Sequence, residues 1–375
     1  VLDSSVLAET RDDGATRSNL RAGTTTIRTD AGLDYDGTLD ATGAAVAQVA
    51  GGLLESDAEV VSTARLGNRT GLVTGQLVVE ALNAPRKTAE DGPNFKVIQG
   101  GGLNVAVGFS DGDIKTTTLA EIGDQSLVTI EGTTTAPGNA RIEALADVRL
   151  DDEARFDSGG LVSLPVSDAR QRATMDTDTR IGTGAQLTTQ AGNVTVSARS
   201  DSDLDVRAFS TTYGLAGASG GYSLAQAKAD DRVTVAPGAQ LVGVGEVVIT
   251  AGGDQRGFGL LDADATTRVF NKTALAITTT PGADGVAERV SRVDIGSGAQ
   301  VASSRDLVVR ATEGYLSASG LSQGRDLARE AIEEIAKVFG NDIEGALELR
   351  GGTASNVGST GVNIDGTLRT GIRNK

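Results

Sequence analysis

The sequence predicts an all-β fold, a parallel β-helix (β-solenoid) with one α-helix inserted near its C-terminal end. Three observations carry this. A short strand motif returns at near-constant spacing, the local hydropathy period is two, and aromatic side chains are scarce. The 375 residues include 7 Phe, 4 Tyr and no Trp, against 50 Gly. A compact core leans on large aromatic side chains. This chain must instead bury Val, Ile, Leu and Ala in thin, repetitive layers.

The repeated element is Gly-x-(apolar)-x-(Val/Ile)-x-(Ala/Thr). It reads GTTTIRT from Gly23, GQLVVEA from Gly75, GNARIEA from Gly138, GNVTVSA from Gly192 and GEVVITA from Gly245. A sixth copy, RDLVVRA, begins with Arg305. Successive intervals are 52, 63, 54, 53 and 60 residues, a period that marks a repeat architecture. The three clearest copies carry Gly-Ala-Gln upstream, at Gly184, Gly238 and Gly298. That phrase supplies a tight turn followed by a core residue, so Leu187, Leu241 and Val301 should occupy equivalent places.

Alternating apolar and polar residues in VTVSA and DVRAFS place one set inward and one outward on a strand. Three ordinary strands with their turns need roughly 18–22 residues. Each unit is therefore expected to hold three coils, giving the chain about 17–19 coils and a rod on the order of 80–90 Å long. A sandwich would show shorter hairpin units with Asn-Gly or Asp-Gly turns. A propeller would show aromatic blade signatures.

The segment 324–342, GRDLAREAIEEIAKVFGND, breaks the pattern. It sets Leu327, Ala331, Ile335 and Val338/Phe339 on one helical face, pairs Glu333 with Lys337 at i,i+4, and stops at Gly340-Asn341. The expectation is β-helix repeats over 1–322, several coils per unit, then an amphipathic helix over 323–342 packed on the flank. The β-helix resumes over 343–375 with GVNIDGTLRTG. The chain opens on VLDSSVLAE, with no initiator Met, basic n-region or apolar h-region, and stops at GIRNK. It reads as an internal segment of a larger protein.

Composition excludes several chemistries. With no Cys and no His, Cys nucleophiles, His general bases, His–Cys metal sites and disulfides are all absent. The formal charge is −16, from 50 acidic and 34 basic residues, which argues against nucleic acid as a partner. No run of 18 uncharged apolar residues exists to span a bilayer.

Carboxylates are the abundant reactive groups. Asp201, Asp203 and Asp205 share one strand face, with Leu204 and Val206 on the other. Such a row suits Ca²⁺, yet alternate residues on a strand lie roughly 7 Å apart, and the glycine-rich calcium-repeat pattern is missing. Asp151, Asp152, Arg155 and Asp157 lie close together in ADVRLDDEARFD and are the best candidates for a polysaccharide-processing site. Only Phe156 offers a sugar platform there, so surface charge is the preferred reading. Glycine strings such as QGGGLNVAVG lack the Gly-Lys-Ser/Thr ending of a phosphate loop. No residue is assigned as catalytic, cofactor-binding or metal-ligating, and no cofactor is expected.

The stretches VDIGSGAQVASSRDLVVRA (293–311), STTYGLAGASGGYSLAQAKADD (210–231) and VNIDGTLRTGIRNK (362–375) resemble the large repetitive exoproteins of Gram-negative bacteria. These are the leukotoxin-type or filamentous-haemagglutinin-like adhesins. The resemblance covers most of the chain in texture, is best from about residue 174 onward, and carries no catalytic signature. It implies a right-handed parallel β-helix, secretion to the cell surface, and a role in adhesion, matrix or extracellular filaments. The expected function is a structural or adhesive rod segment and not an enzyme, with self-association into filaments or end-to-end stacking and a surface or matrix receptor. The alternatives are a polysaccharide-processing β-helix enzyme (lyase, hydrolase or epimerase) and a calcium-dependent adhesin rod.

Overall fold

The computed structural model describes residues 2–9, 18–89, 92–255, 257–278, 281–326 and 348–370. All regular structure among them is β. The strands form a 14-stranded sheet and a second sheet of seven short strands. Strand pairing is parallel except where Tyr315–Asp326 meets Glu348–Gly351.

The repeat interval is the pairing register. Thr25 pairs with Leu77, Leu77 with Ala140, Ala140 with Val194, Val194 with Val247, and Val247 with Leu307. These residues begin the repeated motif two positions after its first residue, so each unit lies directly on the next. One unit makes one layer, which corrects the expectation of several coils per unit. The physical reason is strand length. Ala140–Ile181 and Val194–Val235 each run 42 residues, far beyond the usual five or six. Seven strands in the short sheet mark seven layers. At ~4.8 Å per layer, six steps span about 29 Å, not 80–90 Å.

Each long strand runs outward, bends and returns. In Val194–Val235 the bend falls at Gly214, whose φ is 135°. A Cβ there would collide with the carbonyl oxygen of Gly160 in the layer below. The two arms then face one another: Thr212 bonds Ser219 near the bend, and Ser200 reaches Asp231 further back. Alternation along both arms turns one set of side chains into the space between them.

The short strands close each layer at the far end from the bend. Leu187 pairs with Leu241 and Leu241 with Val301, and all three are fully buried. The Gly-Ala-Gln turns preceding them hold Gly184, Gly238 and Gly298 at φ 64°, 69° and 69°. An L side chain rarely adopts that region. The turn sends Ala185, Ala239 and Ala299 inward, where each is buried.

Two apolar clusters fill the interior. One packs the closing strands against Val194, Val196, Val233 and Val235. The other lies midway along the arms, around Leu204, Val206, Ala225, Ala227 and the edge-to-face pair Phe95–Phe156, 5.0 Å apart.

Among the described residues there is no helix. The helix expected over 323–342 lies outside the described residues from 327 onward, and residues 323–326 belong to the Tyr315–Asp326 strand. Beyond this segment Thr353–Ile364 pairs in parallel with Gly282–Ile295, and Thr367–Thr370 with Gln300–Ser303. No helix of the described residues is long and apolar enough to cross a membrane.

Candidate functional site

Outward positions of the outgoing arms form a charged face. Register stacks Asp147 on Asp201, Arg149 on Asp203 on Asp262, Asp151 on Asp205 on Asp264, and Glu153 on Arg207. The same parity turns Leu204 and Val206 into the core, as the alternation predicts. Parallel layers bring carboxylates within ~4.8 Å of one another, closer than alternate residues along one strand. A groove of about 310 Å³ opens here, lined by Arg86, Arg149, Asp151, Asp203 and Asp205 among others.

Arg207 organises this face. Its guanidinium stands 2.5 Å from Asp205, 3.3 Å from Asp151 and 3.5 Å from Glu153. Asp205 and Asp151 raise the Arg207 pKa in return, the Asp205 hydrogen bond most. Arg155 pairs with Asp157 at 3.1 Å, Arg149 with Asp147 at 3.3 Å, and Arg199 bridges Asp201 and Asp254. Partial loss of water raises the pKa of Asp151, Glu153 and Asp203. Neighbouring carboxylates push the same way, and nearby arginines oppose them.

The cluster of Asp151, Asp152, Arg155 and Asp157 does not hold together. Odd-numbered positions on this arm face outward, so Asp152 points into the interior. There it is fully buried, 2.6 Å from the Lys87 ammonium, and accepts a 3.1 Å hydrogen bond from the Ser110 hydroxyl. Asp152 is a core ion-pair partner and takes no part in the surface face.

A second interior pair was not anticipated. Arg289 lies 3.2 Å from Asp231, both fully buried. Its guanidinium donates to the carbonyls of Gly259 at 2.9 Å, Glu313 at 3.0 Å, and Ser200. The Ser200 hydroxyl donates to Asp231 at 2.7 Å, and Thr177 and Ser200 share a further bond. Burial raises the Asp231 pKa and lowers that of Arg289. One signal was available for both pairs. A charged residue at an inward position of an otherwise apolar alternation, as Asp152 is between Leu150 and Ala154, must find an interior partner.

The returning arms carry a larger groove of about 520 Å³, lined by Glu55, Asp57, Glu59, Asp111, Asp113, Lys115 and Arg172 among others. Arg172 reaches Asp111 at 2.7 Å and Lys115 reaches Glu59 at 3.8 Å. Among the described residues no three carboxylates converge in a way that could hold a metal ion. Between Asp151 and Asp205 the place a bridging cation would take is held by Arg207.

No known family's profile matches the chain, and no curated protein or solved structure is significantly similar to it. The geometry alone therefore bears on function.

Proposed function

We propose that this chain is a β-solenoid segment of a secreted, cell-surface protein, serving as a structural or adhesive body and not as a catalyst. Its coil is right-handed and wide, one repeat unit to a turn. The observation that carries the reading is the registered stacking of unit on unit. Inward rows repeat, as in Leu187–Leu241–Val301, while some outward rows change from layer to layer, as Arg149–Asp203–Asp262 does. Such a body holds its shape through neighbour contacts spread along its length and leaves its faces free to vary. Parallel connections within a sheet are nearly always right-handed, which supports the handedness.

Charge and chemistry fit that setting. A net charge of −16 keeps an extended exposed body soluble, and a chain without Cys needs no redox control. The carboxylates of the outgoing face sit beside arginines and present an ionic surface. Thr353–Ile364 is exposed throughout, an edge suited to end-to-end stacking.

The test combines imaging with chemistry. Negative staining of the purified protein should reveal slab-like or filamentous particles. Acidic and neutral polysaccharides should survive incubation with it, with and without Ca²⁺. Steady release of cut sugar, lost in Asp151→Asn, Asp203→Asn or Asp205→Asn, would replace this reading with the enzyme. Surface attachment that appears only with Ca²⁺ would replace it with the calcium-dependent adhesin.

A further inference from the structure

The bends of successive layers stack into a ridge along one edge of the body, and that ridge is nearly free of charge, with Lys272 beside it, its ammonium 4.9 Å from the centre of the Tyr213 ring. Residues 41–54, 97–110, 158–167, 208–227 and 273–283 contain no Asp, Glu, Lys or Arg. Each of these stretches spans the bend of one layer, and the register aligns them: Gly101 pairs with Gly160 and Gly160 with Gly214, while Ala216 pairs with Leu275. Elsewhere charged residues are frequent, 22% of the whole chain.

The ridge is apolar and open. At the bends Val46 is 88% exposed, Leu161 63%, Leu215 55% and Leu275 66%. The returning arms extend it with Val49, Leu53 and Phe109, also exposed. Scattered apolar residues on a surface are ordinary, but a contiguous patch of this kind marks an interaction site.

We propose that this ridge is a lateral dimerisation surface whose occupant is a second copy of the same chain. Area and charge select that occupant. Five layers at ~4.8 Å, and about seven residues of one arm at ~3.3 Å plus ~10 Å of edge thickness, give on the order of 800 Å². That equals the ~800 Å² per partner of a stable standard-sized complex. Two bodies of charge −16 repel wherever their charged faces meet. Lapping the returning faces places each copy's rim, where Glu55 is exposed and Asp111 and Asp168 are paired with Arg172 and Arg170, over the partner's apolar bend.

A two-fold axis makes the contact self-complementary. With the axis along the stack, each layer faces its own counterpart and the bend of one copy lies over the rim of the other. Leu164, midway between bend and rim in the middle layer and 36% exposed, therefore lies near Leu164 of the second copy.

The proposal is tested on the whole chain by analytical ultracentrifugation at about 10 µM, within the range such interfaces hold. The wild type should sediment at twice the monomer mass. Leu161→Asp with Leu215→Asp should sediment as monomer with an unchanged circular-dichroism spectrum, since both side chains are exposed. The chain contains no Cys, so Leu164→Cys should give disulfide-linked dimers under mild oxidation, and Arg141→Cys, away from the ridge, should not. A wild-type monomer at this concentration, or a dimer that survives the double substitution, overturns the proposal. So does flotation with neutral phosphatidylcholine vesicles that the double substitution abolishes, which would assign the ridge to lipid.

Discussion

Arg289 and Asp231 lie 3.2 Å apart with neither side chain reaching solvent, and the same guanidinium binds carbonyls of Ser200, Gly259 and Glu313. Those carbonyls belong to three successive layers. One side chain thus ties three turns of backbone where the regular strand breaks between 252 and 259. Removing one partner of a buried pair leaves an uncompensated charge and costs about 3–5 kcal/mol. Arg289→Met should lower the unfolding free energy by that amount in urea titrations. The double variant Arg289→Met with Asp231→Leu should recover much of the loss.

The same pair sets a pH dependence. Burial pushes the Asp231 carboxyl up from 3.8 to about 6, against the opposing pull of Arg289 and the Ser200 hydrogen bond. A carboxyl whose folded pKa exceeds its unfolded value contributes stability that is full below the unfolded pKa and lost as pH rises through the folded one. Between pH 4 and 7 the wild type should therefore gain stability relative to Asp231→Asn as pH falls, by on the order of 2 kcal/mol. Paired urea titrations across that range measure the difference. A constant gap between the two proteins would contradict the assignment.

Adjacent carboxylates should behave in opposite ways. Asp151 faces outward beside Arg207, and Asp152 faces inward against Lys87. Asp151→Ala should change stability by no more than about 0.5 kcal/mol, as most exposed substitutions do. Asp152→Ala strands the Lys87 ammonium in the interior and should cost about 3–5 kcal/mol. Thermal unfolding of the two variants side by side is sufficient.

The closing column should be equally sensitive at each layer. Leu187→Ala and Leu241→Ala each leave a hole beneath a fully packed neighbour and should cost about 2–5 kcal/mol. Deletion of residues 186–239 removes one register interval of 54 residues and joins Ala185 to Gln240, which already pairs with Gln186. The shortened protein should fold and lose one layer, about 4.8 Å, in small-angle scattering.

Much of this was legible in the amino-acid order. The intervals between repeated motifs equal the pairing offsets, and Leu187, Leu241 and Val301 fall in one buried column. Layer size was not legible from strand length, because strands of five or six residues are the usual case. The information lay in the alternation, which runs from Ala140 through Asp157 (Leu145 and Asp152 are the only exceptions) where turns would interrupt three short strands. The carboxylate cluster was misread for a related reason. Sequence proximity joined Asp151 to Asp152, whereas a period of two sends neighbours to opposite faces. The helix expected from 323 onward lies largely outside the described residues.

Registered stacking has a consequence for how the body is made. A finished layer presents to the next a row of open backbone groups and a matching row of grooves, so it acts as a mould. Each new lap of chain must close a loop of about 55 residues before it gains anything, but it closes against a surface already in place. Growth can therefore proceed lap by lap behind a moving front, as thread is wound on a spool. A chain released gradually, end first, needs no meeting of distant parts. Arrest at any lap leaves a shorter body with every completed contact intact.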